Sequence, residues 1–167
     1  MNIQQLRNKL ISKISAINDK DLLLQLETWL GKKTLINTDL KAIQELNIKD
    51  SDPVTIRLAG KKSNVVSWEQ VFVLGACWVL EEKRIFKLDK PISDHYEKTK
   101  YAMSNEPYHA DGKLFTSQAL YNLVHLETHR SAEDQLKTLQ YIFDYFKLNS
   151  SDLKISFLGS PNQNGTG

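Results

Sequence analysis

The sequence predicts an α+β domain, mainly α: an N-terminal helical hairpin, then a helix-rich body in which a small two- or three-stranded β element surrounds a buried central helix. Three observations predict it. Apolar residues recur at helical spacing over 3–17 and 132–147, they alternate over 54–58 and 153–157, and Val71–Leu80 is apolar without interruption. The expected organisation is a hairpin at 1–31, a linker with a short helix at 32–52, a core domain at 53–158 and a disordered tail at 159–167.

The hairpin opens on Ile3, Leu6, Leu10, Ile14 and Ile17, whose spacings of three and four place them on one helical stripe. Asn18 offers a cap for a second helix, in which Leu22, Leu23, Leu26, Trp29 and Leu30 form a broad apolar face closed by Gly31. Short amphipathic helices cannot bury such faces alone, so Leu22, Leu26, Trp29 and Leu30 are the candidate partner-binding surface. Arg7-Asn8-Lys9-Leu10-Ile11 and Asn18-Asp19-Lys20-Asp21-Leu22-Leu23 resemble the opening helix pair of some bacterial antitoxins. The likeness covers less than a fifth of the chain and assigns no family.

A short helix is expected around Leu40–Leu46. Lys49-Asp50-Ser51-Asp52-Pro53 breaks the chain before a half-buried strand, Val54–Leu58, and Gly60–Asn64 reads as a turn. Ser67 with Gln70 three residues later has capping-box spacing, opening a helix at 68–83 that is apolar nearly all round. Ile85–Leu88 reads as a strand, and 93–103 as a helix ending before Pro107. Helices follow at 117–129 and at 132–147, the latter capped by Ser131, and the strand Leu153–Phe157 comes last.

The chain has 167 residues, 22 Lys+Arg against 20 Asp+Glu, and a formal charge of +2. That length suits one domain with a small appendage, and so slight a net charge does not itself demand a polyanionic partner. The lone Cys77 excludes an internal disulfide and, within the apolar run, reads as a small core residue. The N-terminus has no apolar signal core, and the longest apolar run is about half of what a spanning helix needs. A cytoplasmic chain with no membrane partner is expected.

All four histidines fall within 95–129. In His125-Leu126-Glu127-Thr128-His129 the two imidazoles, four apart on an expected helix, share a face; with His109 they are the candidate metal ligands. Leu126 stands where a zincin needs its glutamate, so that reaction class lacks its base. There is no nucleophile elbow and no phosphate-cradling glycine loop, and nothing implies a cofactor. The expected function is therefore non-catalytic: an intracellular regulatory or adaptor protein that binds another protein, or itself as a homodimer, through the N-terminal helices. The alternative is a winged-helix-like DNA-binding regulator whose candidate nucleic-acid contacts are Arg57, Lys61 and Lys62. The third reading is a histidine-based metal-binding protein or hydrolase.

Overall fold

The two alternating segments at 54–58 and 153–157, far apart in the chain, lie side by side. Ile56 faces Ile155, Arg57 faces Lys154, and Leu58 faces Leu153 in an antiparallel ladder. The computed structural model describes residues 3–17, 19, 22–23 and 33–159, and divides the chain into units of 1–34 and 35–167.

In the first unit helix α1 runs Ile3–Ser15. Its Leu10, Ile11 and Ile14 are exposed, as is Leu22 beyond it. Ile17 is half-buried.

The second unit is built on two four-stranded antiparallel sheets. The first has the order β1-β8-β2-β3, with β1 at Thr34–Asp39, β2 at Asp52–Leu58, β3 at Lys61–Asn64 and β8 at Leu153–Gly159. The second has the order β4-β5-β7-β6, with β4 at Ile92–Ser93, β5 at Tyr101–Ser104, β6 at Gln118–Tyr121 and β7 at Val124–Glu127. Helix α2 spans Trp68–Glu82 and α3 spans Ala132–Tyr145; short 3-10 turns occupy Ala42–Glu45 and Ser150–Asp152.

Local chemistry sets these boundaries. The Ser67 side chain accepts the Gln70 N–H at 3.2 Å, and the Gln70 side-chain oxygen accepts the Val66 N–H at 2.9 Å, closing the start of α2. Ser131 caps α3 through the Asp134 N–H at 3.1 Å. One contiguous apolar core joins Val71, Phe72, Ala76, Val79 and Leu80 of α2 to Leu139, Ile142 and Phe143 of α3 and to Ile56, Ile155 and Phe157 of the first sheet. Trp68 packs against Phe157 and donates its indole N–H to the Ser51 carbonyl at 3.1 Å, so its polar edge is satisfied inside the core.

The mainly helical reading is corrected by the sheets. Residues 118–127 form a β-hairpin where a helix was expected: Ala119, Tyr121, Val124 and Leu126 turn inward on alternate positions, and Asn122 makes the turn in the left-handed region at φ 54°. Exposed Leu120 and Leu123 mimicked a helical repeat. Residues 93–103 hold parts of β4 and β5 with a polar turn between them, and 85–88 form no strand. The span read as a linker carries β1, an edge of the first sheet. Among the described residues α1 is the one complete N-terminal helix and there is no helical hairpin. Leu22 and Leu23 are helical, and the rest of the expected second helix lies outside the described residues.

Candidate functional site

In the first sheet, cross-strand register stacks side chains of one kind. Arg57 on β2 stands opposite Lys154 on β8 and Lys62 on β3, so three cations form a row, Lys154–Arg57–Lys62, across three adjacent strands. Adjacent strands lie about 4.8 Å apart, so the row is about 10 Å wide. All three residues are exposed, and among the described residues none is ion-paired. Beside it runs a neutral polar row of Ser156, Thr55 and Asn64, extended on β1 by Asn37, whose side-chain oxygen accepts the Ser156 hydroxyl at 2.6 Å.

The rows floor a concavity of about 430 Å³ bounded on its β1 side by Asn37, Thr38 and Asp39. Asp39 spends a carboxylate oxygen on the Ala42 N–H at 2.8 Å. Like charges placed directly opposite on neighbouring strands cost the sheet stability, on the order of 0.2–1 kcal/mol a pair. The arrangement therefore leaves positive potential unspent on an open polar face.

A second cluster surrounds a cleft of about 260 Å³ lined by Asp94, Tyr96, His109, Glu127, Arg130 and Asp134 among others. Here the polar groups are already committed. The Arg130 guanidinium is ion-paired with the Asp94 carboxylate, both side chains being buried. Glu127 accepts the Thr116 N–H at 3.0 Å, the Ser117 N–H at 3.3 Å and the His129 N–H at 2.8 Å, with His109 Nε2 at 3.5 Å. His109 Nδ1 accepts the Tyr101 N–H at 3.0 Å, which places the ring proton on Nε2, toward Glu127. With its oxygens filled in this way, Glu127 is a brace tying the 109–117 loop to β7, and it has no lone pair positioned to take a substrate proton.

Tyr96 donates to Asp134 at 2.5 Å and accepts from Lys137 at 3.2 Å. Burial pushes the Asp134 carboxyl up, but the Tyr96 and Ser131 hydrogen bonds together with the Lys137 and His95 charges hold its pKa below the usual carboxylate range. His95 Nδ1 lies 3.0 Å from both the Asp94 carboxylate and the Thr138 hydroxyl, and its buried Nε2 has no partner among the described residues. Burial lowers the His95 pKa against the opposing pull of the Asp94 carboxylate.

The residues singled out in the sequence fall in different places. Arg57 and Lys62 share the cationic row. Lys61, opposite Leu58, turns to the other face and borders a groove with Leu74, Cys77 and Trp78. Lys154, which completes the row, was missed because its partners lie across the whole second unit. Its only sequence signal is a cation alternating with Leu153 and Ile155. Leu22 is exposed; Leu26, Trp29 and Leu30 lie outside the described residues.

His125 sits on β7 against Gln118, its Nδ1 2.6 Å from the amide oxygen, and His129 follows the strand. Four residues of extended chain span about 13 Å, so the two rings lack the shared helical face their spacing implied. Among the described residues no group of three or more His, Cys, Asp or Glu side chains is placed to hold a metal ion. The Cys77 thiol is pushed up to about 11 by burial and by Glu81, which makes it a poor nucleophile at neutral pH. Among the described residues no helix is long and apolar enough to cross a membrane.

No family model, curated protein or solved structure matches the chain.

Proposed function

We propose that this is a non-catalytic binding protein that holds the phosphate backbone of a nucleic acid on the open face of its first sheet. The observation that carries the reading is the unpaired row Lys154–Arg57–Lys62. Its cations repel one another in the free protein and are relieved by an anion lying across them. The exposed side-chain amides of Asn37 and Asn64 beside it supply donors to phosphate oxygens and the sugar. Among the described residues no side chain in that face is an aromatic stacking platform, so affinity is electrostatic and indifferent to sequence.

Fluorescence anisotropy with labelled DNA of unrelated sequences tests this. Three neutralised phosphates give a loss of about 40-fold for a duplex, or about 20-fold for a single strand, between about 50 and about 200 mM salt. Arg57→Ala or Lys154→Ala lowers the salt slope by about one unit, whereas Lys61→Ala leaves it unchanged. Equal affinity for the wild type and the Arg57/Lys62/Lys154 triple alanine variant would overturn the reading.

A second reading is favoured by the exposed apolar side chains Leu10, Ile11, Ile14 and Leu22. In it the N-terminal helical segment captures another protein.

A further inference from the structure

We propose that β6 is a self-pairing edge, through which two copies of the chain join their second sheets into one eight-stranded sheet about a two-fold axis at Ala119.

Strand β6 is an edge of the β4-β5-β7-β6 sheet. Its ladder with β7 fixes which backbone groups are spare. The Thr128 N–H donates to the Ser117 carbonyl, so Ser117 and Thr128 are a hydrogen-bonding pair. Antiparallel pairs alternate, which makes Ala119–Leu126 and Tyr121–Val124 the next two. The N–H and C=O of Gln118 and Leu120 therefore point away from β7, toward the open edge. Proteins usually guard such an edge with charge, proline or brevity. The other edges follow that rule: β3 carries Lys61 and Lys62, β1 carries Asp39, and β4 is two residues long. The sequence of β6, Gln-Ala-Leu-Tyr, has no charge and no proline, and Leu120 is 62% exposed.

A second copy fits this edge without repulsion. With Ala119 opposite itself, Gln118 of each copy faces Leu120 of the other, and the two spare N–H and two spare C=O groups of each strand meet in four hydrogen bonds. The close, non-bonded position on the axis, where backbones approach nearest, is filled by a small alanine. The contact is short, so the pairing is weak and concentration-dependent.

Sedimentation equilibrium on the full chain is the test. The weight-average mass should rise from 19.2 kDa toward twice that value between about 10 μM and about 1 mM. Leu120→Lys places two like charges diagonally across the axis and should hold the protein monomeric, with an unchanged circular dichroism spectrum. Independently, Ala119→Cys should give a disulfide-linked dimer under mild oxidation, with the 119–119 bridge identified by peptide mass. A wild type monomeric throughout, a dimer that Leu120→Lys leaves intact, or absence of the 119–119 bridge would each overturn the proposal.

Discussion

His95 has one ring nitrogen held by Asp94 and Thr138 and the other buried with no partner among the described residues. A proton on that second nitrogen would sit where nothing accepts it, so burial holds the folded pKa below the ordinary 6.5, against the pull of Asp94 and Asp134. The folded protein then binds this proton less readily than the unfolded chain. The resulting stability is complete above pH 6.5 and falls as pH drops from there toward the lowered folded value. Thermal melts between about pH 6.5 and about pH 5 should show a steeper loss of Tm for the wild type than for His95→Gln, which cannot titrate there. The other three histidines are common to both proteins and cancel in the comparison. Equal slopes would remove His95 as the source.

Among the elements, α2 and α3 meet where α2 has no side chain at Gly75. A Cβ there would lie 2.7 Å and 3.0 Å from the two methyls of Leu139 and 3.2 Å from Leu153 Cδ1, and both leucines are fully buried. Glycine in a helix costs about 1 kcal/mol against alanine, whereas overpacking a core costs about 1–3 kcal/mol. The close approach should win. Gly75→Ala is expected to lose about 1 kcal/mol in urea unfolding despite its better helix propensity, and a gain would mean that Leu139 can swing aside freely.

The same helices show what could be read in advance. α2, with its Ser67 cap and apolar run, and α3, with Leu136, Leu139 and Phe143 on one face, were legible because each signal is local. Strands β2 and β8 alternate plainly. The second sheet was not legible, since Leu120 and Leu123 supply helical spacing from the outside of a hairpin. Likewise Arg57 and Lys62 could be picked out as neighbours, but their division from Lys61 and their union with Lys154 depend on strand register, which no local pattern encodes.

At the scale of the whole molecule, the described members of the core, from Ile36 to Phe157, all lie in the second unit. They form one contiguous cluster spanning both helices and both sheets, the usual basis of a single cooperative transition. A fragment of residues 33–167 keeps β1 and every described strand. It should unfold in one step in urea with coincident near- and far-ultraviolet circular dichroism transitions; loss of the near-ultraviolet signal alone would show that the core needs the first unit. The fragment also separates the two functional readings. The cationic row belongs entirely to it, so DNA affinity and salt slope should match those of the full chain. A protein partner held by the exposed side chains of α1 would instead be lost from the fragment, while Arg57→Ala in the full chain would leave that partner bound.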